Sequence, residues 1–535
     1  MRFAVLSDTH YISLSTLYSE AETRDVLRHD INVSLFRKLT EQTGIDTVLI
    51  TGDLCDAGDM QSHLEFVEIL KELQESGKRV FVLTATHDFH FSRAYVSTYG
   101  WPVRYRARPW ERPWCDLDKV DYRALALDEY QDLPDEKLKM RALPVATPDD
   151  LWELYRPFGR DQAFSTCDSA YSYAVKLEDK LWCLMLNNNF RDIDANYDMS
   201  PTYSPACLRW IRSVLDDAEK EGAFVFACTH HPLVPPVPAY RIGGTTRNMR
   251  SPTVVHTLAD VGLQLVFSGH THFADVSFAR SDAGNVLCNV TTPSICFLPP
   301  AYRYAEIFPD EKRLKTETVP VETPENAAVS EKTLRDHFEK EFRADQLKKL
   351  EKLPHNLGKV AYGVRCKHLY PLVKKASGLT QAAFAPIADR RLFDLVIDAA
   401  VNMQTGDGAY TPDTPEYRFL MGLAAVLDSV KDAQPFIKLD KKLLGYSFAE
   451  IVEPMLFNNY VPDNDADFVF DRLPAPGVSV PTFQSHAGDV LMLILSGAAA
   501  LVAPVAPVPA ALALPALTVM KKLKLKKNPV KADRY

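Results

Sequence analysis

Seven of the fourteen histidines fall in four short turns, and each of those turns directly follows a run of apolar residues. "RFAVLS" (2–7) runs into Asp8-Thr9-His10, and "RVFVLT" (79–84) into Ala85-Thr86-His87-Asp88, with His90 close behind. "AFVFACT" (223–229) precedes His230-His231-Pro232, and "LQLVFS" (263–268) precedes Gly269-His270-Thr271-His272. A fifth run, "DTVLIT" (46–51), ends on Gly52-Asp53. Short, near-continuous apolar runs of this kind suit strands buried on both faces. "KLWCLMLN" (180–187) adds a sixth. Helical patterns lie between several of them: residues 16–43, then 60–77 with Leu64, Val67, Leu70 and Leu73 on one stripe and Gly77 as a stop, then 205–222 between Pro205 and Gly222. Such alternation predicts a layered α/β domain over about residues 1–310. In open α/β sheets the carboxyl ends of strands share one crevice, so the five turns are expected to meet.

Taken singly, each turn says little. An Asp-x-His is a common turn, and Asp53 could cap the next helix. Together, carboxylates and neutral imidazoles without a thiolate suit Mn, Fe or Zn rather than Ca or Cu(I). There are more of them than one tetrahedral site needs, which implies two metal ions. Two ions about 4 Å apart can clamp the attacking and departing oxygens of a phosphoryl displacement.

In chain order, DTH (8–10), GDLCDAG (52–58), the turn at 85–88, THH (229–231) and GHTH (269–272) resemble the calcineurin-like metallophosphoesterases, nearest to the bacterial branch with cyclic-nucleotide phosphodiesterase-like members. The resemblance spans roughly residues 1–310 and implies a four-layer α/β/β/α sandwich. It implies that Asp8, His10 and His272 bind one metal, that Asp53 bridges, and that His230 and His270 bind the second. His87 would protonate the leaving oxygen or steady the phosphate, with Asp88 orienting it. The implied reaction is hydrolysis of a phosphomonoester or phosphodiester by a hydroxide between two divalent or transition metal ions (Mn, Fe or Zn). One motif departs from the family: Ala85-Thr86 stand where it has Gly-Asn, whose Asn is a ligand. The threonine predicts weaker binding of the second metal, or a water in its place. A catalytically weak, membrane-associated binding or scaffold protein is the competing expectation.

Residues 91–165 break the strand–helix rhythm and read as an insertion over one end of the sheet. There Arg104, Arg106, Arg108 and Arg112 either belong to a solvated loop over packed aromatics or steer an anionic substrate. "NNNFRDIDANYDMS" (187–200) either lines the site or is a polar surface loop. Residues 311–330 read as a linker, and 331–488 as a mainly helical accessory domain without a catalytic constellation. The segment 489–520 is apolar from Val490 to Met520 and leads to a basic tail, 521–535. Its four prolines leave several forms open: a broken span, a re-entrant hairpin, an interfacial anchor, or a tail packed on the helical domain. Net charge is −9, and the body without the basic tail is more acidic still, which argues against nucleic-acid binding. The nine cysteines include no CxxC pair and read as reduced thiols. "MRFAVLSDTH" holds only a short apolar run. A cytoplasmic protein is therefore expected, peripheral to or anchored at a membrane through its C-terminus. Its expected partner is a phosphorylated small molecule or lipid.

Overall fold

The computed structural model describes residues 1–16, 23–56, 58–88, 95–97, 140–142, 146–188, 201–234, 252–351, 362–406, 410–430, 447–456 and 464–472. The first sheet has six strands. They are β1 (Arg2–Leu6), β2 (Thr47–Ile50), β3 (Arg79–Val82), β13 (Ala301–Phe308), β14 (Arg313–Pro320) and β15 (Ala466–Val469), in the order β15-β14-β13-β1-β2-β3. The second has seven: β6 (Ser165–Cys167), β7 (Ser172–Glu178), β8 (Leu181–Leu186), β9 (Phe224–Thr229), β10 (Leu265–Ser268), β11 (Asp275–Arg280) and β12 (Val286–Thr291), in the order β11-β12-β10-β9-β8-β7-β6. A short antiparallel pair, β4 (Tyr95–Ser97) and β5 (Met140–Ala142), stands apart.

All six expected strands form, and their period of two distributes them between layers. Phe3 and Val5 of β1 face the second sheet, where Phe226, Phe267 and Met185 complete one core. Ala4 and Leu6 point the other way, into a core shared with helices Thr23–Glu41 and Met60–Glu75. On the far side, Trp182, Leu184, Val225 and Ala227 pack under helices Pro205–Glu221 and Pro252–Asp260. The result is the helix–sheet–sheet–helix sandwich that the family resemblance implies.

Two local readings need adjustment. Helix Met60–Glu75 buries His63, Phe66, Val67, Leu70 and Leu73, while Leu64 is exposed. With Ser62, six inward residues form a wider stripe than the leucines suggest, and it is turned away from Leu64. The expected linker contains β14, whose Leu314 and Thr316 are buried while Lys315 and Glu317 face solvent. Its polar alternation conceals a half-exposed strand.

Beyond residue 330, helices Leu334–Glu351, Cys366–Ser377, Leu392–Thr405, Pro415–Val430 and Phe448–Leu456 pack around Leu369, Leu395, Phe419 and Leu423. This region is stitched to the sheets. Gln404 Nε2 donates to the carbonyl of Leu298 (2.6 Å), and Ala274 N donates to the carbonyl of Gln404 (3.2 Å). The chain then returns to the first sheet as β15, antiparallel to β14. Arg303 is fully buried and donates to the carbonyls of Thr291 and Asn464 and to Thr318 Oγ1. It thereby ties β12, β14 and the approach to β15 together.

Among the described residues no helix is long and apolar enough to cross a membrane, and the eight described cysteines are buried free thiols. The segment 489–520, the basic tail, Cys115 and the four arginines at 104–112 lie outside the described residues.

Phe470 follows β15, is 2 % exposed in the inter-sheet core, and stacks on Phe224 at 5.5 Å. Phe470→Ala is therefore expected to lower stability by about 3 kcal/mol. A urea titration of the full chain checks this. A loss under about 0.5 kcal/mol would mean that the returning segment does not hold the sheet.

Candidate active site

Each of the five turns leaves the carboxyl end of its strand at the same edge of the sandwich. Among the described residues, only seven that are not glycine adopt positive φ: Asp8, His10, Asp53, Tyr171, His270, His272 and Lys312. Five of these are candidate ligands. A left-handed conformation costs a residue with a Cβ roughly 1–2 kcal/mol, so it persists only where surroundings enforce it. Backbone bonds between turns do so. Asp8 N donates to Gly52 O (3.0 Å), His10 N to Asp53 O (3.0 Å), and Gly269 N to His230 O (2.9 Å).

Two glycines make the close approach possible. A Cβ on Gly52 would lie 2.7 Å from Ala85 Cβ and 2.8 Å from His230 Nδ1. One on Gly269 would collide with Ser7 Oγ and Asp8 Oδ2.

Asp8 is fully buried. Its Oδ2 accepts from His270 N (2.9 Å) and from Ser7 Oγ. Its Oδ1 accepts no hydrogen bond among the described residues, yet lies 3.2 Å from His272 Nε2, 3.8 Å from His10 Nε2 and 4.0 Å from His230 Nε2. Burial alone would raise the Asp8 pKa, but His272 and His230 outweigh it and hold it at about 2. Burial brings His10 down to about 4, against the opposing pull of Asp56, so its ring is neutral at pH 7. Its Nδ1 faces Asp56 Oδ1 (3.1 Å), and a carboxylate can only accept. The proton therefore sits on Nδ1, and the lone pair of Nε2, which has no partner among the described residues, is turned toward Asp8.

Asp53 is also buried. Its Oδ1 accepts from His87 N (2.8 Å) and Thr86 Oγ1 (3.3 Å), and its Oδ2 lies 3.1 Å from His230 Nε2. Burial opposes its ionisation, but His230 and His87 hold its pKa well below the usual carboxylate range. In His230, burial favours the neutral ring, while Asp53 and Asp8 together lift the pKa to about 9. His230 Nδ1 donates to Thr51 O (3.1 Å), and its Nε2 lies 3.1 Å from His270 Nδ1.

All six expected ligands thus come together. Donor atoms of Asp8, His10 and His272 lie within 4.8 Å of one another, as do those of Asp8, Asp53 and His230 and those of His10, Asp53 and His87. Asp53 joins both sides of the cluster. His231 forms a further close group with His230 and His270, while its Nδ1 lies 3.2 Å from Asn188 Oδ1. Donors about 2.1 Å from one cation sit roughly 3.0–3.4 Å apart, so spacings of 3.1 and 3.2 Å are those one small cation would span.

His87 lies at the rim, with its side chain 32 % exposed. Its Nδ1 donates to the carbonyl of Asp56 (2.8 Å), which puts Nε2 on the opposite edge of the ring. Asp88 does not take the role expected of it. Its carboxylate accepts from the backbone N–H groups of Cys55 (2.8 Å) and Ala85 (2.6 Å), joining the second and third turns, and the Asp56 carbonyl orients His87. A buried carboxylate beside two unpaired backbone donors is better satisfied by them than by a half-exposed ring.

Sequence reasoning passed over three contributors. Asp56 holds His10 through its carboxylate and pairs with Arg28 (3.0 Å) through its other oxygen. Its signal was the second acid of GDLCDAG. Phe297 stacks on His272 (4.5 Å) and lies under the Arg28 guanidinium (4.8 Å). Nothing in its local sequence marked either Phe297 or Arg28. His90 and residues 189–200 lie outside the described residues.

A buried array of carboxylates and imidazoles at one strand edge of a helix–sheet–sheet–helix sandwich is a set of donors suited to metal ions. Residues 1–274 match the model of the calcineurin-like phosphoesterases, and the chain belongs to that family. It is similar to a dimetal phosphatase from Danio rerio (14% identity, 60% of this chain and 96% of that one, TM-score 0.35). It is also similar to purple acid phosphatase PPD1 from yellow lupin, Lupinus luteus (12% identity, 62% of this chain and 52% of that one, TM-score 0.33). No curated protein matches the sequence.

Gly269→Ala is expected to push Asp8 out of register and cost about 1–3 kcal/mol in the metal-free protein. Urea denaturation measures it. An unchanged midpoint would show that the two turns are not in contact.

Proposed function

We propose that this chain hydrolyses a phosphomonoester or phosphodiester with two transition-metal ions. One observation carries the reading. Asp8 Oδ1 and His10 Nε2 are buried, take no hydrogen bond among the described residues, and lie within 4 Å of each other. Leaving two such atoms unsatisfied costs several kcal/mol unless a cation takes both.

Asp8, His10 and His272 would hold one ion, His230 and His270 the other, with Asp53 between them. The ions, when bound, would make hydroxide available near neutral pH and draw charge from the phosphoryl oxygens. The protein's own groups do the rest. Asp56 keeps the His10 proton on Nδ1, so that its Nε2 is a donor of electrons and not of hydrogen. His87 presents Nε2 at the rim, in position to deliver a proton to the leaving oxygen. Thr86 spends its hydroxyl hydrogen on Asp53 (3.3 Å), leaving the oxygen lone pairs as the substitute for the family's Asn.

Turnover of p-nitrophenyl phosphate and bis-p-nitrophenyl phosphate by Mn²⁺-loaded protein tests the reading. Asp53→Ala is expected to reduce either rate by at least about a hundredfold. Wild-type turnover no greater than that variant's would sink the proposal and leave a binding protein on a phosphoesterase fold. A panel of nucleotides, cyclic nucleotides and lipid phosphates then assigns the substrate class.

Metal counting tests the threonine. Thr86→Asn is expected to tighten the second ion about tenfold, read by chelator competition. Tight stoichiometry of two in the wild type would mean that Thr86 already suffices. Because His230 is charged at pH 7, occupation of its Nε2 should also release a proton. Calorimetry in two buffers of different ionisation enthalpy counts it.

A further inference from the structure

Behind the turn that carries His87 lies a buried polar cluster that the proposed reaction does not use. His63 is fully buried in helix Met60–Glu75. Its Nε2 lies 2.8 Å from the backbone carbonyl of Asp88, and its Nδ1 lies 2.8 Å from Tyr155 Oη. Tyr155 ends helix Pro148–Leu154, at the close of the insertion, and is itself buried.

The direction of these bonds follows from what each atom can do. A carbonyl only accepts, so His63 Nε2 carries a proton and donates to Asp88 O. Burial brings the His63 pKa down to about 4, so at pH 7 the ring holds one proton. Nδ1 is therefore the acceptor, and the Tyr155 hydroxyl must donate to it. One tautomer satisfies all the atoms: the Asp88 carbonyl fixes the proton on Nε2, and the Tyr155 hydroxyl donates to the Nδ1 left bare.

The same accounting explains why the proximity of Cys55, His63 and Asp88 does not make a second metal site. Both His63 nitrogens are engaged, and both Asp88 oxygens are capped by backbone N–H groups. Burial also pushes the Cys55 thiol up, away from the thiolate a metal would need.

We propose that Tyr155 and His63 are positioning residues for His87: helix Pro148–Leu154 of the insertion, through the Tyr155 hydroxyl at its end and the His63 ring, fixes the carbonyl of Asp88 and so the turn that presents His87. This rests on the proposed phosphoesterase reading for its kinetic consequence and on hydrogen bonding alone for its structural one. The insertion is then a working part of the site. Its closing segment reaches the leaving-group side of the centre from beneath, through a path closed to water.

Tyr155→Phe keeps the ring and removes only the hydroxyl. With it, kcat for phenyl phosphate, whose leaving oxygen needs a proton, is expected to fall roughly tenfold or more. The kcat for p-nitrophenyl phosphate, the KM for both esters and the metal content are expected to hold. His63→Gln, whose amide nitrogen reaches the place of Nε2, should retain more of the phenyl phosphate rate than His63→Ala. Equal losses on both esters, or none on either, would overturn the relay. If the wild type hydrolyses neither ester, the phosphoesterase reading fails by itself, and ¹⁵N NMR of zinc-loaded, histidine-labelled protein decides the relay. A single Nε2–H tautomer of His63, with the His87 ring signals displaced in Tyr155→Phe, supports it. An Nδ1–H tautomer in the wild type, or His87 signals unmoved in the variant, overturns it.

Discussion

Three phenylalanines set the position of the site. Phe3 of β1 lies face to face with Phe226 of β9 (5.4 Å, 12°) and edge-on to Phe267 of β10 (6.0 Å, 81°), and all three are fully buried. Full burial of each is worth roughly 1.5–3 kcal/mol, with more from the ring geometry. Because Asp8, His230 and His270 follow these rings by only a few residues on their strands, clamping the rings brings the turns within hydrogen-bonding distance. The polar centre is a by-product of apolar sheet packing one step upstream.

What the packing delivers, the turns must then hold against strain. Left-handed backbone at Asp8, His10, Asp53, His270 and His272 aims five side chains inward from five places that would otherwise point them elsewhere. The turns brace one another: the first lies on the second through backbone bonds, and His270 N is fastened by Asp8 itself. A carboxylate that serves the centre with one oxygen thus secures a neighbouring turn with the other. Charge is balanced in the same space, with His230 protonated against Asp8 and Asp53.

The six apolar runs and the polar turns behind them were legible because both signals are local: strands buried on two faces are continuously apolar, and ligands must be Asp or His. A strand that escaped notice, β14, has one face toward solvent and so alternates between apolar and charged residues as a polar linker can. The residues that gather in the cluster were readable from the family pattern, but their supports were not. Asp56, Arg28 and Phe297 are joined by folding from places 28 to 269 residues apart, and no local pattern encodes an ion pair beneath a ring. Asp88 was misread because sequence adjacency to His87 suggested a partnership, whereas buried N–H groups from another turn had the stronger claim on its oxygens.

The sheet order has a consequence for how little of the chain can stand alone. Every candidate ligand lies before residue 273, yet β1 sits between β2 and β13, and β13 begins at Ala301. A fragment ending after the last ligand would carry all the chemistry and leave β1 with an open edge of unpaired N–H and C=O groups beside an apolar face. Such an edge recruits other chains. The strand that closes it is supplied only after nearly three hundred residues of intervening chain, a separation that slows folding and prolongs exposure of that edge. The span of sequence that holds the reactive groups and the span that can fold as a unit are therefore different lengths, and backbone pairing decides the second.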